Sequence, residues 1–180
     1  MEPIIQIRDL RKFFGKKQAL YGINLDIMPG QIIGYIGPNG AGKSTTVRIL
    51  AGLDERFEGT VSIKGIDVKE NPLAVKRIIG YIPELADLYD VLTPMEFLML
   101  IGRLHDLEDQ QIEERATRML DFLGLKDQLH QRMDTFSKGM RQKVLLIAGL
   151  IHNPDVIFLD EPLSGLDANA VILVKEVLAK

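Results

Sequence analysis

Apolar and polar residues alternate near the N-terminus and form short continuous runs further along the chain. The segment "PIIQIRDL" predicts a strand, and "YGINLDIMPG" places Ile23, Leu25 and Ile27 alternately with polar residues. This alternation is typical of a half-buried strand, and it ends at a Pro-Gly turn. The next run, "QIIGYIG", does not alternate, which predicts a short strand buried on both faces.

The pattern then changes from strand to helix and back. "QIIGYIG" leads directly into "PNGAGKST" and the helical pattern "TVRILAGL", so a strand, a glycine loop and a helix follow one another. "EGTVSIKGIDV" predicts a hairpin with Gly59 and Gly65 as turn signals, and "KRIIGYIPE" predicts another short strand. Residues 91–150 have helical character, "DVIFLDEP" returns to a buried strand, and "ANAVILVKEVLAK" is helical to the last residue.

Three helices are predicted within 91–150. The first begins with a capping box, in which Thr93 is the cap, Pro94 is the first helical residue and Glu96 lies three after the cap. The second ends at Gly124, and the third, "SKGMRQKVLLIAGLIHNP", ends at Asn153-Pro154. The apolar face of the second helix consists of Ile112, Ala116, Met119, Leu120 and Leu123. A helical segment therefore interrupts an α/β core.

Composition narrows the class of protein. The chain has 180 residues, 46% of them hydrophobic, and a net charge of −3, so it has enough residues for a sizeable core and no general excess of positive charge for nucleic acid. Without cysteine, the sequence has neither disulfides nor thiolate metal sites. The N-terminus does not have the pattern of a signal peptide. The apolar run 144–151 is far shorter than the about 20 residues of a spanning helix.

The glycine loop has the spacing G-x-x-x-x-G-K-[ST] of a phosphate-binding loop. Its backbone N–H groups are expected to surround the β- and γ-phosphates of a nucleoside triphosphate, with Lys43 reaching the phosphates and Ser44 binding Mg²⁺. The alternative is a glycine-rich turn with an incidental lysine, and the flanking strand and helix patterns argue against it. The predicted nucleotide-binding residues are Gly37, Pro38, Asn39, Gly40, Ala41, Gly42, Lys43, Ser44 and Thr45.

A pair of acidic residues follows the apolar run "VIFL". Asp160 at the end of a strand beside the phosphate loop is suited to hold Mg²⁺, commonly through water. Glu161 is then expected to orient or deprotonate the attacking water, as the catalytic residue. The alternative is an acidic pair at the surface end of a strand.

The chain resembles the ATP-binding subunit of an ABC transporter of export type. The resemblance rests on the phosphate loop, "FSKGMRQK" before an apolar helix, "VIFLDEP" and "SGLD", in that order over almost the whole chain. It implies one ABC ATPase domain over residues 1–180. In that domain an α/β P-loop NTPase core, formed by 1–90 and 151–180, has a mixed sheet and an N-terminal antiparallel β subdomain. Residues 91–150 are the inserted α-helical signature subdomain.

The resemblance also implies roles for residues outside the phosphate loop. Phe14 in "KFFG" is expected to stack on adenine, whereas Phe13 is expected in the core. Glu84 stands where the family has Gln, and as an oxygen ligand it joins Ser44 and Asp160 as a predicted metal residue. In the signature, Ser137, Lys138, Gly139 and Met140 are expected to bind the γ-phosphate of ATP held by the opposite subunit, and the predicted dimer loop is Ser164, Gly165, Leu166 and Asp167.

One residue of the family pattern is missing. The family has a His beyond the dimer loop, whereas His105, His130 and His152 lie in or at the end of the helical segment, where packing or solvent roles are expected. We therefore expect the chain to be truncated at its C-terminus, with impaired hydrolysis of ATP.

The family resemblance implies partners and a location. A homodimer or a pair with a second ABC ATPase is expected, on the cytoplasmic face of a membrane and bound to a permease. The apolar run 97–101 indicates either a helix buried within the protein or, with residues 83–92, a groove for a helix of that permease. A soluble ABC ATPase acting on DNA or ribosomes is the alternative function. Against it, no sustained heptads separate Gly37 from Phe136, and the chain holds one cassette.

Overall fold

The computed structural model describes residues 2–84, 88–160 and 171–172. The chain folds as two compact units, Met1–Ile79 and Gly80–Lys180. The first unit contains the phosphate-loop sequence, and the second contains the helical segment and the strand before Asp160.

An antiparallel sheet forms the larger part of the first unit. Its strands β1 (Ile5–Phe14), β2 (Lys17–Ile27), β3 (Glu58–Ile63) and β4 (Ile66–Asp67) lie in the order β2-β1-β3-β4. Alternate side chains of β1 and β3 point into one core, as the period of two requires. The buried apolar residues of these strands are Ile5, Ile7, Leu10, Leu20, Val61 and Ile63. The N-terminal antiparallel β subdomain is thus present.

Phe13 lies on the exposed face of β1. The register of β1 shifts against β2 between Ile7 and Leu10, and this bulge moves the buried positions of β1 from Ile5 and Ile7 to Leu10 and Lys12. Lys12 is consequently 3% exposed, whereas Phe13 is 44% exposed. The expectation that Phe13 belongs to the core is wrong, because the bulge gives the buried position to its charged neighbour.

Two short helices accompany the sheet. Helix α1 (Lys43–Leu50) confirms the helical pattern after the glycine loop. Helix α2 (Pro72–Ile78) was not expected, although Asn71-Pro72 is a common helix start. Because α2 includes the first residues of "KRIIGYIPE", strand β5 is restricted to Ile79–Ile82.

The expected buried strand before the phosphate loop is not formed. Residues 31–38 are in no strand of the described part of the chain, and the side chains of Ile32 and Ile36 are 91% and 92% exposed. A strand buried on both faces needs neighbouring strands along both edges and packed layers above and below. The described residues supply neither to this segment, so its apolar sequence alone does not produce a strand.

Three helices pack together in the second unit. They are α3 (Pro94–Leu104), α4 (Asp109–Phe122) and α5 (Lys138–Leu150), with 3₁₀ turns at Lys126–Gln128 and Met133–Thr135. The predicted apolar face of α4 is confirmed, since Ile112, Ala116 and Leu120 are buried. Gly124 follows α4 with a φ of 70°, a left-handed conformation that glycine adopts readily. The helical segment is therefore a compact layer with its own core.

The start of α3 shows why local sequence predicts this unit well. The Thr93 hydroxyl accepts a hydrogen bond from the Glu96 N–H at 3.2 Å, and the Glu96 carboxylate accepts one from the Thr93 N–H at 2.9 Å. Both halves of the predicted capping box are present.

Strand β6 (Val156–Leu159) pairs with β5 in a two-stranded sheet. Of its four residues only Phe158 is buried, so the expected buried strand is half-buried. Val171 and Ile172 are helical, and the rest of the predicted final helix lies outside the described residues. Across the parts of the chain that are described, no helix has both the length and the apolar character needed to span a membrane.

Candidate functional site

The predicted phosphate loop ends at the N-terminus of α1. Gly42 is the cap residue, with a φ of 88°, and Lys43 is the first residue of the helix. Gly40 also has a positive φ, 82°, which non-glycine residues rarely adopt. The first N–H groups of α1, which have no partner within the helix, therefore point towards the loop. This arrangement provides backbone donors and a positive helix end for an anion.

Gly42 is also required by packing. A Cβ atom built at this position would collide with the side chain of Leu20 and lie 3.0 Å from the carbonyl oxygen of Ala19. Strand β2 therefore approaches the loop so closely that no side chain fits between them. The same construction at Gly40 meets no atom within 4 Å. Gly42 is therefore required both by packing and by backbone conformation, whereas Gly40 is required by conformation alone.

The ammonium group of Lys43 is held inside the curve of the loop. Its Nζ donates hydrogen bonds to the carbonyl oxygens of Gly37 at 2.8 Å and Pro38 at 3.1 Å. The Ala41 N–H donates to the Pro38 carbonyl oxygen at 3.2 Å, which closes the turn. A positive charge thus lies beside the backbone donors of a helix N-terminus, and both attract phosphate.

The three hydroxyl residues after Lys43 have different environments. Ser44, the predicted metal ligand, is exposed, whereas Thr45 is half-buried. Thr46 is buried, and its hydroxyl donates to the Gly42 carbonyl oxygen at 3.0 Å. Thr46 was not among the predicted site residues, because it only fixes the first turn of α1 behind the loop.

Phe14 lies at the end of β1 in the same unit. Its ring is 55% exposed, as a ring that stacks on a base must be before binding. The Lys12 ammonium lies 5.0 Å from the centroid of this ring. Lys12 was also absent from the predicted site, since a lysine in a strand pattern gives no signal of burial.

Asp160 and Glu84 come from neighbouring strand ends in the second unit. Asp160 follows β6, and its N–H donates to the carbonyl oxygen of Ile82, the last residue of β5, at 2.9 Å. Glu84 follows two residues after Ile82 and is exposed. The structure thus brings the ends of the two strands that carry predicted metal ligands together. In residues 2–84, 88–160 and 171–172, no three His, Asp or Glu side chains form a ready metal cluster.

Several predicted residues fall outside the part of the chain that the structure describes. These are the catalytic residue and the dimer loop, Glu161, Ser164, Gly165, Leu166 and Asp167.

The signature residues form the start of α5. Ser137 is the cap, and its hydroxyl accepts a hydrogen bond from the Met140 N–H at 3.2 Å. Lys138 is exposed, while Gly139 and Met140 are half-buried. The Met140 side chain packs against the helical core, so it has a structural role that its position in the motif did not indicate. The four residues therefore combine a helix N-terminus with one exposed cation.

Two of the three histidines are partners in packing. The rings of His105 and His152 are stacked, with centroids 3.7 Å apart and an angle of 10° between their planes. His105 follows α3 and His152 follows α5, so the pair joins the C-terminal ends of two helices. The predicted packing role is confirmed for His105 and His152. His130 is exposed, in agreement with the other predicted role, contact with solvent.

A glycine loop closed by a lysine at the start of a helix, with an acidic strand end elsewhere in the chain, defines the class of P-loop NTPases. The family model described as "ABC transporter" matches residues 20–164. The chain therefore belongs to the ABC transporter ATP-binding family.

Individual relatives agree with this assignment. The chain is 38% identical to the ABC transporter ATP-binding protein NatA of Bacillus subtilis, over 93% of this chain and 70% of NatA. It is 34% identical to the linearmycin resistance ATP-binding protein LnrL of the same species, over 91% of this chain and 53% of LnrL. The chain thus spans about half the length of one relative and somewhat over two thirds of the other.

A solved structure extends the agreement to the fold. It is a dimeric ATP-binding cassette in a post-hydrolysis state bound to ADP and Pi, with a TM-score of 0.86 and 26% identity. The match covers 97% of this chain and 81% of that one. The predicted P-loop NTPase fold with an inserted helical segment is therefore confirmed.

Proposed function

We propose that the chain binds and hydrolyses ATP to power the transport of a substrate across a membrane by an associated permease. The observation that carries the proposal is the position of Lys43, whose ammonium donates to two carbonyl oxygens of the loop at the N-terminus of α1. A triphosphate offers this cation more negative charge than the two carbonyl oxygens that it contacts. The names of LnrL and NatA, one a resistance protein and the other a transporter component, favour transport over action on DNA or ribosomes.

The proposed roles in ATP binding and hydrolysis belong to the phosphate loop, Phe14 and Glu161. Residues 37–45 bind the phosphates, and the exposed ring of Phe14 stacks on the base. Hydrolysis forms a bond between a water oxygen and the γ-phosphorus and breaks the bond from that phosphorus to the ADP oxygen. Glu161 accepts the proton of the attacking water.

The oxygen donors of Ser44, Asp160 and Glu84 suit Mg²⁺, which prefers hydroxyl and carboxylate ligands together with substrate phosphates. Asp160 and Glu84 are the two carboxylate donors of this set, and they follow strands β6 and β5, which pair with each other. When bound, Mg²⁺ supplies positive charge that offsets the charge of the phosphates. Glu84 carries a negative charge that the usual Gln lacks, and this favours the metal further.

We assign the complete site to two copies of the cassette. The exposed Ser137 and Lys138 at the start of α5 bind the γ-phosphate held by the opposite copy, and the loop 164–167 contacts that copy across the seam. The structural relative bound to ADP and Pi is dimeric, which supports this arrangement. The second copy is either the same chain or another ABC ATPase.

The proposed permease contact lies at residues 83–92 and the start of α3. Tyr89 and Val91 are 63% and 66% exposed, and the Tyr89 ring lies against Phe97 at a centroid distance of 6.4 Å. Phe97 and Leu98 are themselves buried, so the exposed apolar residues of the loop provide the contact. This contact would hold the protein at the inner face of the cell membrane.

In this proposal the chain forms one ABC ATPase domain, with residues 91–150 as its helical subdomain.

A glutamate substitution tests this function. In Glu161→Gln the phosphate loop still binds ATP, but the attacking water loses its base, so ATP is bound without turnover and the dimer persists. Size-exclusion chromatography with light scattering should show a dimer with ATP and a monomer without it. A monomer at saturating ATP would contradict the proposal, and Glu113→Gln, an exposed position on α4, is the matched control.

A further inference from the structure

A buried lysine connects β1 to the chain that follows the phosphate-loop helix. Lys12 is 3% exposed, and its Nζ lies 2.6 Å from the Asp54 carboxylate and 2.6 Å from the carbonyl oxygen of Arg56. The Arg56 N–H in turn donates to the Asp54 carboxylate at 3.0 Å. Burying an ammonium group is unfavourable unless it is paired and hydrogen-bonded, and both conditions are satisfied here.

The same ammonium lies over the ring of Phe14. The distance from Nζ to the ring centroid is 5.0 Å, within the range in which a cation is attracted to an aromatic face. More than half of the ring surface is nevertheless exposed. The cation therefore lies over the ring, and the exposed part of the ring surface is available to a planar partner.

The residues that Lys12 contacts, Asp54 and Arg56, follow the C-terminal end of α1 in the chain. Residues 51–54 follow this helix directly, and the Gly52 and Leu53 N–H groups donate to carbonyl oxygens of Ile49 and Arg48 at 3.0 and 2.9 Å. The turn that carries Asp54 is thus fixed to the C-terminal end of α1, while the phosphate loop is fixed to its N-terminal end. Lys12 joins this rigid element to the aromatic ring.

We propose that Lys12 is a positioning residue for the nucleotide base, which sets the distance and orientation of Phe14 relative to the phosphate loop through Asp54. The inference rests on the proposed stacking of Phe14 on the base. The ammonium acts on the ring and not on the phosphates, because it is buried and two of its three N–H donors are held by Asp54 and Arg56. It restricts the ring to one orientation before the base arrives, and it draws electron density from the ring towards its covered face.

A purely structural role for the Lys12–Asp54 pair leads to a different expectation. In that case loss of the pair lowers the affinity of the unit for every ligand equally, because α1 and its loop lose stability together. If Lys12 positions the base, its loss lowers the affinity only for ligands that carry a base. The ratio of the affinities for ATP and for inorganic tripolyphosphate, each with Mg²⁺, separates the two roles.

The experiment compares four variants of the chain by isothermal titration calorimetry. They are Lys12→Met, which removes the cation but retains an unbranched apolar side chain, Lys12→Arg, Phe14→Ala, and Arg8→Met as the control. Arg8 lies on the same strand and pairs with Asp26 at the surface, so its removal changes net charge by the same amount. Thermal unfolding of each variant measures its folding.

Lys12→Met should lower the affinity for ATP about three- to tenfold and leave that for tripolyphosphate unchanged. Phe14→Ala should lower the ATP affinity by at least as much, while Lys12→Arg and Arg8→Met retain the wild-type ratio. If Lys12→Met lowers both affinities equally, or neither, the positioning role is overturned while the stacking of Phe14 stands. If Phe14→Ala leaves the ratio unchanged, the proposed base contact is itself wrong, and the role of Lys12 falls with it.

Discussion

The ammonium nitrogen of Lys43 lies 2.8 Å from the carbonyl oxygen of Gly37, so the first residue of α1 closes the loop that precedes it. This contact fixes the cation at the positive end of the helix, whose first turn, residues 43–46, contains no acidic residue. The arrangement places positive charge and backbone donors together, and it determines how substitutions in the loop should behave.

The two loop glycines should differ in their sensitivity to substitution. Gly40→Ala introduces only an unfavourable positive φ and should cost about 1–2 kcal/mol of stability. Gly42→Ala has the same conformational cost, and its Cβ also collides with Leu20. We expect a larger drop in Tm and a greater loss of ATP affinity for Gly42→Ala, measured by thermal unfolding and calorimetry. Equal effects of the two substitutions would contradict the packing of the loop on β2.

The caps of α3 and α5 allow stability to be separated from function. Thr93→Ala and Ser137→Ala each remove a side-chain acceptor at a helix N-terminus, and each should cost about 1 kcal/mol of stability. Only Ser137→Ala should weaken ATP-dependent dimerisation, because only this cap is proposed to face the second nucleotide. Analytical ultracentrifugation with ATP measures the difference. Equal weakening by Thr93→Ala would show that the loss comes from stability alone.

The stability of the first unit should depend on pH through Asp54. Burial acts to raise the pKa of Asp54, but the hydrogen bonds from Lys12 and the Arg56 N–H, together with the positive charges of Lys12 and Arg48, outweigh it, so the pKa lies below its ordinary value. A carboxylate with a lowered pKa stabilises the folded state above its unfolded pKa, and this stability is lost as the pH falls through the folded pKa.

Asp54→Asn should therefore be less stable than the wild type at neutral pH by about 1–3 kcal/mol. The difference in free energy of unfolding between the two proteins should shrink below about pH 4. Urea unfolding at a series of pH values measures it. A difference that stays constant down to about pH 2 would rule out ionisation of Asp54 as its source.

The exposed tyrosine at residue 89 should matter for the membrane partner and not for ATP. Tyr89→Glu places a charge on the proposed contact and should abolish association with permease-containing membranes in a sedimentation assay, with ATP affinity unchanged. Tyr21→Glu is the control, since Tyr21 is 75% exposed on β2. Wild-type sedimentation of Tyr89→Glu would place the contact elsewhere.

Local signals in the sequence predicted the helical unit well. Thr93 and Glu96 form their capping box within four consecutive residues, and Ile112, Ala116 and Leu120 follow the helical period, so neither depends on distant parts of the chain. The phosphate loop was likewise recognisable, because Gly42 and Lys43 act within a few residues of each other.

Features that depend on distant partners were not predictable. The strand expected for residues 31–37 requires neighbours that its own sequence does not specify, and the described residues provide none. The burial of Lys12 depends on a bulge and on a carboxylate 42 residues further along the chain. Sequence patterns report periodicity and local capping, whereas such long-range pairing becomes visible only in the fold.

The most direct test of the central claim is the affinity of the phosphate loop for ATP. Isothermal titration calorimetry with Mg²⁺-ATP should be carried out on the wild type, on Lys43→Met and on Arg48→Met, which removes an exposed cation at the other end of α1. Lys43→Met should lose at least about tenfold in affinity, since it removes a charged hydrogen-bond donor, and Arg48→Met should match the wild type. Equal affinities of the wild type and Lys43→Met would contradict the account.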